Sequence, residues 1–246
     1  MAPVHPVLRG AVRTVVPAPG ERHGPLPPLL LGLTVVTGLV DAVSYLLLGH
    51  VFTANMTGNV VILGFALAGA SGFSPAASLL ALAGFSVGAM AWGRLVRSPA
   101  HRGRTLVLAT ATEAVLFGLA LVVVVAGPAP DRPGIRYPLI ALAALAMGTQ
   151  NAAVRALAVP DMATNVLTST ITGIAADAAL GESAEVRSGR RLLVVVAMLL
   201  GAFAGGMLVL HAARAFAVTA PFALILVVLG AATRAARSRA DWTAFP

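Results

Sequence analysis

Apolar stretches of about 20 residues recur along most of this chain, each long enough to cross a hydrocarbon core about 30 Å thick. In lipid, such a segment has to satisfy every backbone N–H and C=O within itself, so the runs read as helices. Of the 246 residues, 58% are apolar and 11% charged, against roughly 25% charged in a soluble domain. That balance excludes a disordered chain and a water-soluble globule. What remains is an all-α, polytopic membrane helix bundle.

The runs fall at Leu29–Gly49, Met56–Ala70, Pro75–Val96, Thr105–Gly127, Tyr137–Val159, Asn165–Gly181, Leu192–Leu210 and Ala215–Thr233. Residues 1–28, rich in proline and carrying Arg9, Arg13 and Arg22, read as a disordered basic tail, and 234–246 as a second basic tail. No cleavable signal is expected, because the first run is too long for an h-region and contains Asp41. The second and sixth runs stand apart. Met56–Ala70 is short for a span at 1.5 Å per residue, and it follows Thr53-Ala54-Asn55. Asn165–Gly181 contains Thr168-Ser169-Thr170-Ile171-Thr172-Gly173 and Asp177. Short, Gly-interrupted segments at matched positions in two halves point to discontinuous helices.

Other features recur in the same order. Asp41-Ala42-Val43 is matched by Asn151-Ala152-Ala153, the Thr-Gly run at Thr53 by that at Thr168, and Gly88–Gly93 by Gly201–Gly206, all at nearly constant spacing. Two membrane repeats are therefore expected, at 29–127 and 137–233. Charge then sets the topology. The net charge of +8 comes from arginine alone among the basic residues. These arginines lie mostly between apolar runs, where they retain loops on the cytoplasmic side, so no nucleic-acid partner is expected. Eight crossings would put the stretch from Arg94 to Arg104 outside. Six crossings, with the second and sixth runs re-entering, keep that stretch, the Arg187–Arg191 loop and both termini cytoplasmic at a bacterial inner membrane. A three-crossing repeat inserts its second copy upside down, so the two Thr-Gly motifs would enter from opposite faces and meet near the midplane.

The runs Val40-Asp41-Ala42-Val43-Ser44 and Phe52-Thr53-Ala54-Asn55-Met56-Thr57-Gly58-Asn59, with Gly148-Thr149-Gln150-Asn151-Ala152-Ala153 and Thr170-Ile171-Thr172-Gly173, resemble the YoaK-like family of bacterial membrane proteins over roughly residues 30–235. The resemblance implies a small multi-pass inner-membrane protein, in a family of uncharacterised molecular function. One position departs: Thr168-Ser169-Thr170 stands where a Thr-Thr pair is expected, and serine keeps the hydroxyl.

A carboxylate deep in a span costs several kcal/mol unless it pairs, protonates or meets water. Asp41 reads as a proton or cation site, or as a buried carboxyl hydrogen-bonded across the bundle near Gln150 and Asn151. Glu113 reads as an ion site or as a group near one interface that reaches water. Asp177 suits ion coupling or a cytoplasm-facing surface. Arg155 either snorkels to the interface or balances Asp177 or an anionic substrate. Half-helices beginning at Thr57 or Thr172 would aim free N–H groups into a pocket, joined by the Thr170 hydroxyl and the Asn55 and Asn59 amides. The same residues could instead cap helices while their glycines allow close packing.

No cysteine, P-loop, dinucleotide, zinc or calcium motif is present, so neither a cofactor nor a metal is expected. Ser86 in Gly84-Phe85-Ser86-Val87-Gly88 fits a nucleophile elbow but lies mid-helix. Gly69-Ala70-Ser71-Gly72 is similar to the motif of rhomboid-type proteases but lacks a convincing histidine companion. The expected function is non-enzymatic: a small-solute or ion secondary transporter in the lipid bilayer, binding at Asp41, Asn55, Thr57, Asn59, Gln150, Asn151, Thr170, Thr172 and Asp177. The alternatives are a membrane scaffold or sensor acting through faces such as Gly88–Gly93, and, more remotely, an intramembrane serine hydrolase using Ser71.

Overall fold

The structure, a computed structural model, describes residues 6–18, 20–96, 101–127, 132–162, 164, 167–177, 182–212, 214–237 and 241–245. Its elements are α1 (Pro6–Val15), α2 (Leu26–Leu47), α3 (Met56–Leu67), α4 (Pro75–Leu95), α5 (Arg102–Ala126), α6 (Pro133–Leu157), α7 (Leu167–Asp177), α8 (Glu182–His211) and α9 (Arg214–Ala236), then a 3-10 turn at Asp241–Thr243. Six of these, α2, α4, α5, α6, α8 and α9, are long and apolar enough to cross a membrane. The expected all-α bundle of six long and two short apolar helices is what forms.

Contacts at the helix ends give the direction of each element. Arg102, at the start of α5, donates to the Leu157 carbonyl at the end of α6, and to His23 Nδ1 at 3.1 Å just before α2. The start of α2, the start of α5 and the end of α6 therefore share one end of the bundle, so α2 and α6 run antiparallel. That end also holds Arg22, Arg155, Arg190 and Arg191, and is here called the basic end.

The short helices re-enter. α3 has 12 residues, about 18 Å at 1.5 Å each. His50 before it and the Gly72 carbonyl after it lie 3.1 Å apart, so the chain leaves and returns at the same end. α7 is bracketed in the same manner at the basic end, where Asp161 before it pairs with Arg191 beyond it at 2.8 Å. α3 packs against α4 and α7 against α8, and among the described residues the two share no packed interface. The expectation that the Thr-Gly motifs meet at the midplane is thereby corrected. Each half-helix is tied to its own end of the bundle by polar contacts at its entry, α3 by the Asn59 bonds to Phe52 and α7 by the Asp161–Arg191 pair.

α2 and α6 bury most of their spanning length, whereas α4, α5, α8 and α9 turn apolar side chains such as Val115, Leu199 and Val227 outward. Two crossings hold the inner pair, α2 on α8 and α6 on α4. In the first, Gly38 faces the Met198 carbonyl and Gly201 faces that of Val35; in the second, Gly148 faces the Phe85 carbonyl and Gly88 that of Leu145. A Cβ at any of these four glycines would strike backbone, so the helices approach as closely as small residues permit. Gly88, expected as a packing face, is thus used inside the chain.

The terminal regions differ from the expected tails. Pro6–Val15 is helical and docks on the start of α8, where Gly189 meets the Val7 carbonyl. Proline content over 28 residues concealed a stretch free of interior proline: Pro6 sits at the helix start, where its missing N–H is harmless, and Pro17 follows the helix end. Trp242 is buried against Gly24 and the Leu26–Leu30 core.

His23, bonded to Arg102, is held below its usual value of 6.5 by burial first and by the Arg102, Arg190 and Arg22 charges next. The unfolded chain therefore binds the extra proton more readily, so this contact's stabilisation is present above pH 6.5 and is lost as pH falls. Amide exchange in residues 22–26 is expected to quicken several-fold from about pH 7 to about pH 5, after correction for intrinsic rates. A His23→Gln variant should lack the pH dependence.

Candidate functional site

The first Thr-Gly motif builds a turn that is closed onto α2. Asp41 is buried, and its Oδ1 accepts hydrogen bonds from the backbone N–H of Thr53 at 3.0 Å and Ala54 at 2.8 Å. Asn55 caps α3 by accepting from the Gly58 N–H at 3.2 Å. Asn59 reaches back to Phe52, its Oδ1 accepting from the backbone N–H at 2.9 Å and its Nδ2 donating to the carbonyl. Gly58 is small because the Phe52 ring occupies the space of a Cβ. The capping roles weighed for Asn55 and Asn59 are thus realised. Thr57 is exposed on the outer side of α3. Two buried polar atoms at this turn have no hydrogen-bond partner among the described residues, Asp41 Oδ2 and Thr53 Oγ1.

Gln150 on α6 connects the halves. Its amide donates to Thr37 Oγ1 at 2.8 Å, one helical turn before Asp41 on α2, and to Thr164 Oγ1 at 3.4 Å. Neither threonine stood out in the sequence: Thr37 lies on an apolar helix, where hydroxyls usually bond their own preceding turn, as it also does to Leu33, and Thr164 lies in the stretch between α6 and α7, outside the apolar runs.

The second motif is arranged differently. A pocket of about 740 Å³ opens at the basic end. Phe85 and Ala89 of α4, Asn151 and Arg155 of α6, Asp161, Ser169 and Thr170 around α7, and Arg191 of α8 line it. Asn151 and Thr170 belong to the expected site and are brought together here. Thr172 is exposed on α7, and the side chain of Asp177 lies outside the described residues. Gly173 is matched to its neighbour much as Gly58 is: the Arg191 guanidinium fills the place of its Cβ.

Asp161 and Arg191 were missed as a pair because they lie 30 positions apart in loop-like sequence, where charges read only as topology signals. The turn before α7 takes left-handed backbone at Ala158, φ 49°, and Asp161, φ 60°. That conformation ends α6 and is tolerated by aspartate.

Glu113 corrects another expectation. It lies near the middle of the 25-residue α5, fully buried, and neither carboxyl oxygen has a hydrogen-bond partner among the described residues. It does not reach water at an interface. Ser86 donates to the Leu82 carbonyl from a continuous helix, with no elbow. Ser71 is exposed in the loop after α3, and His50 beside it bonds the Gly72 carbonyl rather than the serine.

Comparisons with known proteins fit this architecture. The family described as "Protein of unknown function (DUF1275)" matches residues 29–231, which run from α2 into α9. The chain is also similar to UPF0700 transmembrane protein YoaK of Bacillus subtilis (strain 168), at 35% identity over 150 residues. The alignment covers 61% of this chain, which spans 65% of the relative's length. No solved structure matches.

Proposed function

We propose that this multi-pass membrane protein, which belongs to the family of unknown function DUF1275, is a small-solute secondary transporter built from two inverted repeats. The repeat reading is supported by the two glycine crossings, since Gly148 follows Gly38, and Leu145 follows Val35, by the same 110 positions. The observation that carries the transport reading is an asymmetry between equivalent places. Asp41 is closed onto the turn before α3, whereas Asn151, 110 positions later, faces an open pocket beside α7. Two copies of one unit in different states, closed toward one end and open toward the other, are what alternating access requires.

On this reading the basic end is cytoplasmic by the positive-inside rule, both termini lie on that side of the inner membrane, and the solute enters between α4, α6 and α7. Asp41 supplies the coupling charge, with Oδ2 available to a proton or small cation. Closing the basic end would bring α7 toward Asn151, as the α3 turn already sits on Asp41.

The test is flux into proteoliposomes for solutes that first raise the thermal stability of the purified protein. Asp41→Asn is expected to lower gradient-driven uptake by about tenfold or more, with stability retained, as for other intramembrane carboxyls. Ser71→Ala is expected to change nothing. If no solute stabilises the protein and none crosses, the transport reading fails; if Ser71→Ala removes activity, hydrolysis replaces it.

A further inference from the structure

We infer that the pocket at the basic end takes a small soluble oxyanion, a carboxylate or phosphate group, with Arg155 as the recognising charge. This assignment of substrate class rests on the transport reading above. Within the pocket Asp161 is balanced by Arg191 at 2.8 Å, while Arg155 has no ion pair among the described residues and lines the same space. Among the described lining residues the positive charge is therefore in excess. The Asn151 amide supplies a neutral hydrogen-bond donor, and the Ser169 and Thr170 hydroxyls add polar lining beside it. A guanidinium beside neutral donors matches the planar, multidentate acceptor set of an oxyanion. Arg155 is also partly exposed, which lets it meet a solute arriving from water.

Low-dielectric walls around that charge concentrate anions and exclude cations. Gly173 is part of the arrangement: its missing side chain seats Arg191 against α7, where the arginine pairs with Asp161.

Because the chain has no cysteine, a single thiol reports the local potential without background. Ala152→Cys, in the pocket lining, would be labelled in neutral detergent with anionic sulfonatoethyl and cationic trimethylammonioethyl methanethiosulfonate. Each rate is normalised to free mercaptoethanol and compared with Ala70→Cys at the other end. The anionic reagent is expected to be favoured about tenfold at Ala152→Cys, the lower range for a focused field. Arg155→Gln should erase the preference and Arg155→Lys restore most of it. Millimolar succinate or inorganic phosphate should slow labelling in phosphatidylcholine nanodiscs.

A cationic preference, or a preference unchanged in Arg155→Gln, overturns the assignment. So does protection by neutral solutes as strong as that by anions. Protection that appears only when phosphatidylglycerol is added overturns it too, by showing a lipid headgroup in place of a soluble anion. Failure of all flux with the anionic preference intact would instead sink the transport reading and leave an anion-binding pocket.

Discussion

Replacing Gly148 by leucine is expected to abolish recovery of the folded protein from detergent extracts. A Cβ at Gly148 would fall on the Phe85 carbonyl group, with its carbon at 2.8 Å and the Ala89 nitrogen at 3.0 Å. These are backbone atoms of α4, so no side chain can rotate away to make room. α4 and α6 would have to separate along their whole crossing, exposing Ala144 and Met147, which are now buried. Overpacking a well-packed interior costs about 1–3 kcal/mol even when side chains can shift, and here only helix displacement is left. Fluorescence-detected size-exclusion should show loss of the monodisperse peak for Gly148→Leu. Gly64→Leu is the control, since a Cβ there meets nothing within 4 Å, and that variant should elute as the parent does. Equal behaviour of the two would refute the packing argument.

The second large effect is expected at Glu113 and has opposite signs for stability and activity. Both carboxyl oxygens are buried without a partner among the described residues, and an unsatisfied buried polar group costs about 1–3 kcal/mol, more when charged. Glu113→Leu removes that cost with a side chain of similar reach, so thermal unfolding should move up by several degrees, at roughly 2–4 °C per kcal/mol. Uptake in proteoliposomes should fall by about tenfold or more, because an intramembrane carboxyl retained against such a cost marks a working site. A stabilised variant with full uptake would show Glu113 to be idle. A destabilised one would show that it has a partner beyond those described.

The two predictions address different levels of the molecule. Gly148 concerns whether the inner helices can meet at all, and Glu113 concerns what the finished bundle does with a charge placed at its centre. The same division runs through the Asp41 turn. Oδ1 holds the backbone of Thr53 and Ala54 and so stabilises a fold, whereas Oδ2 has no partner among the described residues and is the atom to which the proposed coupling assigns a proton or cation. Substitution by asparagine keeps one carbonyl acceptor for the turn while removing the charge. For that reason Asp41→Asn, rather than alanine, separates the proposed coupling from folding.

The re-entry of the second and sixth apolar runs was legible in their length and in the positions of the arginines. Both depend on local quantities, residues per ångström and the side of the membrane that retains charge. The polar residues singled out were real but did not form one site. Asp41, Asn55 and Asn59 close a turn, Gln150 bridges to Thr37, and among the described members of the expected site Asn151 and Thr170 face the pocket. Thr57 and Thr172 were chosen from their motif, yet helix phase turns both outward, and a short motif does not reveal which side of its helix will find a neighbour. Arg155 has two readings in the sequence, snorkelling to the interface or balancing Asp177 or an anionic substrate, and local sequence does not choose between them. Asp161 and Arg191 were invisible as a pair until α7 folded back between them.

Sequence by itself determined that the chain forms six apolar spans and two shorter helices, because the match between apolar run length and bilayer thickness needs no tertiary information. It also determined which glycines recur at a common spacing. Only the tertiary structure decided which polar groups are satisfied and which are left over: that Asp41 is clamped while Asn151 faces open space, that Arg155 meets no acid among the described residues, and that Glu113 is sealed off. Those outcomes depend on where helices distant in sequence cross, and a displacement of a single turn, about 5.4 Å, would exchange one set of partners for another.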